Sequence, residues 1–97
     1  MRAAAAPIIE AAMPRKILVA DDEPKIVRLV SAYLEAAGYA VIAARDGNEA
    51  LLKFRSEKPD CAILDISMPE IDGLDVARAI RKASDAPIIF LTARTEE

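Results

Sequence analysis

Four short apolar runs punctuate the chain: Ile17-Leu18-Val19-Ala20, Tyr39 to Ala44, Cys61-Ala62-Ile63-Leu64 and Ile88-Ile89-Phe90-Leu91. None shows the strict alternation of a strand with one wet face. Bounded by turn signals, such runs predict strands buried on both faces, as in a parallel sheet. Between them the hydrophobic positions change period. After Pro24, favoured at the first helical position, Ile26, Val30, Tyr33, Leu34 and Ala37 recur at helical spacing, and Gly38 supplies a stop. Asp46, with Glu49 three residues on, predicts a capped second helix through Leu51 and Phe54, ended before Pro59. Asp72-Gly73 opens a third, with Leu74, Ala77 and Ile80 inward. Strands alternating with helices indicate βαβ units with right-handed crossovers, hence an α/β fold.

The polar residues that close these runs carry the candidate chemistry. Asp21-Asp22 ends the first run and Asp65 the third. In open parallel sheets, ligands bind outside the carboxyl ends of the strands, where the strand order reverses. Three carboxylates gathered at that edge repel one another and call for a cation. Taken alone, Asp21-Asp22-Glu23 is equally a solvated helix-cap cluster, and Asp65 an ordinary loop acid. Their joint placement at neighbouring strand ends favours a site. Thr92 brings a hydroxyl to the end of the fourth run, while Met68-Pro69 and Gly73 are turn-formers that shape the loop after Asp65. Arg78, Arg81 and Lys82 read as a solvated helix face.

Composition narrows the class. Ninety-seven residues make one domain at most, and an aromatic share of 4% within 54% hydrophobic leaves aliphatic side chains to fill the core. Thirteen basic against 16 acidic residues give a net charge of −3, which argues against a nucleic-acid surface on this segment, though not against a DNA-binding partner domain. Cys61 is the lone cysteine and there is no histidine, so neither a disulfide nor a zinc site is expected, and a reducing, cytoplasmic compartment is favoured. Charges interrupt every apolar stretch well short of the ~20 residues a membrane span needs. Residues 1–12 read as a mobile N-terminal extension, with the domain running over 13–97.

The ordered set Asp21-Asp22, Asp65 with Met68-Pro69 and Gly73, and Thr92 after a fourth strand resembles the receiver domain of two-component response regulators, from about Lys16 to Glu97. The resemblance implies a flavodoxin-like, doubly wound parallel sheet in the order 2-1-3-4. A fifth strand and the last helices, about 30–40 residues, would be missing at usual element lengths, and with them the family's lysine and aromatic switch residue. It implies Asp65 as phosphoacceptor for a sensor histidine kinase, and Mg²⁺ held by Asp21, Asp22, Asp65 and the Ser67 backbone carbonyl. Thr92 would sense the phosphoryl group. It further implies a phosphoacceptor signalling domain, not an enzyme, that assists its own phosphorylation and dephosphorylation, and the branch whose receivers precede a winged-helix DNA-binding domain that controls transcription.

Two other classes fit less of the pattern. A protein-interaction module without phosphorylation would self-associate through the open edge of the fourth strand or through helices. A haloacid-dehalogenase-like hydrolase would want a second aspartate two residues after the nucleophile, where this chain has Ser67.

Overall fold

Successive residues of a strand point to opposite faces, so an unbroken apolar run needs cover on both. The computed structural model describes residues 14–91, and there the first and third runs are so covered, whereas Ile89 and Phe90 of the fourth are exposed. Strands β1 (Lys16–Ala20), β2 (Ala40–Ala44), β3 (Cys61–Asp65) and β4 (Ile88–Leu91) form one parallel sheet in the order β2-β1-β3-β4. Helices α1 (Pro24–Ala36), α2 (Gly47–Glu57) and α3 (Gly73–Arg81) connect them. This is the expected α/β, flavodoxin-like order. β2 starts one residue later than expected, and β3 runs one residue further, taking in Asp65. The expected extension over 1–12 and Thr92 lie outside the described residues.

On one face Leu18, Ala20, Ala62 and Leu64 meet Ala50 of α2 and Val76, Ala77 and Ile80 of α3. On the other, Ile17, Val19 and Ile63 pack against Val30 and Leu34 of α1. Fully burying such aliphatic side chains contributes about 1.5–3 kcal/mol each. The core contains no buried aromatic among the described residues, so small and branched side chains set its thickness.

Two helix starts follow their sequence signals. The Asp46 carboxylate accepts from the Glu49 backbone N–H at 2.8 Å, and Glu49 in turn accepts from the Arg45 N–H at 2.9 Å, one residue before the cap. Asp72 caps α3 by accepting from the Asp75 N–H at 2.9 Å. α1 differs: Glu23 sits at its cap without a side-chain bond to the helix, and Pro24 opens it.

One inward-facing expectation is corrected, and one member of an apolar series turns outward. Tyr33 is 72% exposed, because the side of α1 that packs on the sheet carries the partly buried Val30 and Leu34 and each residue rotates about 100° from the next. Leu74 is 41% exposed; α3 turns Val76, Ala77 and Ile80 to the sheet instead. Leu74 lies towards β4, lining a shallow groove with Ala77, Ile88 and Phe90. The outer edge of β4 has no partner strand among the described residues.

Lys58 ends α2 in the left-handed region at φ 50°, a conformation that costs a side-chain-bearing residue energy and costs glycine none. Lys58→Gly is expected to raise stability by up to about 1 kcal/mol, read as a higher denaturation midpoint at unchanged denaturant slope. An unchanged or lower midpoint would contradict this account of the cap.

Candidate metal-binding site

β1 and β3 are hydrogen-bonded neighbours in parallel register, with Ala20 beside Leu64. The next residue on each chain is therefore an aspartate: Asp21 after β1 and Asp65 as the last residue of β3. Asp22 follows at the rim. One carboxylate oxygen from each of Asp21, Asp22 and Asp65 lies within 4.8 Å of the other two. Asp21 and Asp65 are buried, at 3% and 8% exposure, whereas Asp22 is exposed.

Backbone hydrogen bonds orient the two buried carboxylates. Asp21 Oδ1 accepts from the Glu23 N–H at 2.9 Å, and Asp65 Oδ1 accepts from the Ser67 N–H at 3.2 Å. The Asp21 backbone is itself tied across the sheet, its N–H donating to the Ala44 carbonyl at 3.1 Å. Among the described residues, no lysine or arginine forms an ion pair with any of the three.

The electrostatics follow. Burial pushes the Asp65 carboxyl up to about 6, opposed by the Ser67 N–H and reinforced by the charges of Asp21 and Asp22. Asp21 is also raised, first by burial and then by Asp22 and Glu23, against the Glu23 N–H. At a separation of 4.8 Å, two carboxylates repel by roughly 1 kcal/mol in water and about 3–4 kcal/mol at an effective dielectric of 20. The donor set suits a hard divalent cation: three carboxylates, oxygen only, open on the Asp22 side, in a chain without histidine. Cys61, at the opposite end of β3, has its thiol pushed up by burial, in keeping with an unreactive group.

The site residues expected from the sequence thus come together in part. Asp21, Asp22 and Asp65 converge. Ser67 stands beside them through its backbone N–H, and Thr92 lies outside the described residues. Three neighbours carry more than was read from the chain. Met68 is 6% exposed and anchors the loop in the core, so it is more than a turn-former. Gly73 is likewise more: a Cβ there would fall on the Asp65 carbonyl group, 2.9 Å from its carbon. Gly47, not singled out at all, presses against Ile71. One signal was available, since both glycines follow a capping aspartate.

Comparison with known proteins agrees with this geometry. Residues 17–97 match the sequence model of the response regulator receiver domain. Over 86 residues the chain is 49% identical to the alkaline phosphatase synthesis transcriptional regulatory protein PhoP of Bacillus subtilis, covering 88% of this chain and 36% of that protein. Over 81 residues it is 52% identical to the probable transcriptional regulator ycf27 of Pyropia yezoensis, covering 84% and 33%. The chain therefore spans about a third of the length of these curated relatives. Among solved structures, the response regulator TrrA of Thermotoga maritima in complex with Mg(2+)-BeF gives a TM-score of 0.78 at 49% identity, covering 84% of this chain and 71% of that one. The Vibrio cholerae chemotaxis protein CheY4 gives 0.79 at 38% identity, covering 86% and 72%.

The raised Asp65 pKa fixes a sign for stability. Between pH 4 and 6 the folded chain keeps a proton that the unfolded chain has released, so this group's contribution to stability falls as pH rises through that window. Asp65→Asn removes the effect. In metal-free buffer at pH 7 the variant is expected to be more stable than the parent, on the order of 1–2 kcal/mol after solvent screening, with the gap closing towards pH 4. Urea titrations at both pH values check it, and a gap that widens on acidification would refute it.

Proposed function

This chain belongs to the response regulator receiver domain family, and we propose that within it Asp65 accepts a phosphoryl group from a sensor histidine kinase in a Mg²⁺-dependent step. The observation that carries this reading is the convergence of three carboxylates within 4.8 Å at the carboxyl ends of two adjacent strands, with no ion-paired cation among the described residues.

Asp21, Asp22, Asp65 and the Ser67 backbone carbonyl would hold Mg²⁺, which when bound supplies positive charge against the carboxylates and the transferred phosphoryl oxygens. The remaining work falls to the chain. Asp65 keeps one oxygen engaged by the Ser67 N–H, which leaves the other as the nucleophile. A lone pair on that oxygen forms the new O–P bond as the P–N bond to the donor imidazole breaks. The bonding pair leaves with the nitrogen, which takes up a proton. Asp21, fixed through the Glu23 N–H and the Ala44 carbonyl, keeps the far wall of the site in place.

Asp65 pairs with Leu91 in the β3–β4 ladder, and Thr92 follows Leu91 in sequence. In this reading its hydroxyl hydrogen-bonds a phosphoryl oxygen and passes the change in charge to the chain beyond. The domain works in the cytoplasm, and in a longer protein its output is transcription control, in line with the two relatives named as transcriptional regulators.

The test is incubation with a small-molecule phosphodonor, with and without Mg²⁺, followed by intact mass. In a version extended to the length of a whole receiver domain, the parent is expected to gain one phosphoryl group only with Mg²⁺, and Asp65→Ala to gain none. Asp21→Asn should weaken Mg²⁺ binding by about tenfold or more. Metal-independent labelling, or labelling that persists in Asp65→Ala, would sink the assignment.

A further inference from the structure

Gly47 opens α2 directly after the capping Asp46, without the positive φ that would call for glycine on conformational grounds. Its requirement is space. A Cβ at this position would fall on the Ile71 carbonyl oxygen and lie 2.8 Å from the Ile71 Cβ. Ile71 belongs to the loop that leaves Asp65, and that loop is pinned elsewhere by backbone bonds. The Ile71 N–H donates to the Pro69 carbonyl at 2.8 Å, the Gly73 N–H donates to the Ile66 carbonyl at 3.0 Å, and Glu70 is held at φ 66° between them. Asn48, next to Gly47, reaches Glu70 at 3.4 Å. The same β2–α2 junction touches the other half of the site, because the Ala44 carbonyl at the end of β2 accepts from the Asp21 N–H.

From these contacts we infer that Gly47 is a positioning residue: by letting the α2 backbone touch the Ile71 carbonyl, it makes the β2–α2 junction a brace that fixes the Asp65–Asp72 loop against the acidic cluster. The inference deepens the phosphoacceptor reading and rests on it for its metal arm alone. An added Cβ moves the loop outward, and the first bond to suffer is the 3.2 Å one from the Ser67 N–H to Asp65.

The comparison that isolates this role is Gly47→Ala against Gly38→Ala. Gly38 has φ 98° with nothing within 4 Å of a built Cβ, so its substitution strains the backbone far from the loop. Two readouts are taken below both melting temperatures. In amide NMR without metal, the Ser67 N–H resonance is expected to lose the shift given by a carboxylate acceptor in Gly47→Ala and to keep it in Gly38→Ala. In calorimetric titration with Mg²⁺ alone, affinity is expected to fall about tenfold or more in Gly47→Ala and to stay within twofold of the parent in Gly38→Ala. Should Gly47→Ala not fold, Ile71→Gly frees the backbone and removes the Cβ on the loop side of the same contact, and is expected to shift the Ser67 resonance. A parent that binds no Mg²⁺ defeats the metal reading and leaves the NMR arm to decide the brace. An unmoved Ser67 resonance in the folded variant, or equal changes in both glycine variants, overturns the inference.

Discussion

The register between β1 and β3 is the constraint on which the rest depends. Ile17 pairs with Cys61 and Ala20 with Leu64, so the ladder delivers Asp21 and Asp65 side by side at its carboxyl end. A slip of β3 by one residue would turn the fully buried Leu64 to the opposite face of the sheet, away from Leu18. It would also separate the two carboxylates. Packing and charge are therefore set by the same alignment: the aliphatic ladder holds together two acids that would separate if free to do so. Their raised pKa values reflect first the burial that this packing imposes, and then the charges of their acidic neighbours.

That coupling shapes the energetics of the domain. A chain of this size has modest stability, on the order of 5–10 kcal/mol, and a buried anionic cluster draws on it whenever it is ionised. Anything positive that binds the cluster relieves the repulsion and stabilises the fold by mass action. Cation binding and folding stability are thus linked through one set of oxygens. The exposed rim position of Asp22, beside two buried acids, leaves a way in for a cation without opening the core.

Much of this was legible in the chain. The strands were, because runs such as Ile17-Leu18-Val19-Ala20 are apolar at every position and only a doubly covered strand satisfies that. The α2 and α3 caps were, because Asp46 and Asp72 act locally. The facing of individual helix residues was less so. Tyr33 and Leu74 sit on apolar stripes by period, yet each lies just outside the arc its helix presents to the sheet, and that arc depends on where the sheet ends. The glycine contacts were legible only as far as each glycine follows a capping aspartate. Gly47 and Gly73 have neither unusual dihedrals nor polar groups, and their significance lies in which backbone atom stands opposite, a tertiary fact.

Those two glycines make one structural argument. Each follows an aspartate that caps a helix, so the dipeptide both starts the helix and brings its first turn within touching distance of another backbone. At Gly73 the partner is the carbonyl group of Asp65 itself; at Gly47 it is the carbonyl of Ile71, near the far end of the same loop. The loop is thereby held at both ends by main-chain contact, with Met68 as a buried anchor between. Side chains at Pro69 and Glu70, both exposed, add to that grip only turn geometry and one long bond from Asn48 to Glu70. Substitutions there should be tolerated so long as the backbone can follow the same path, whereas a single methyl group at either glycine must displace the chain that carries Asp65.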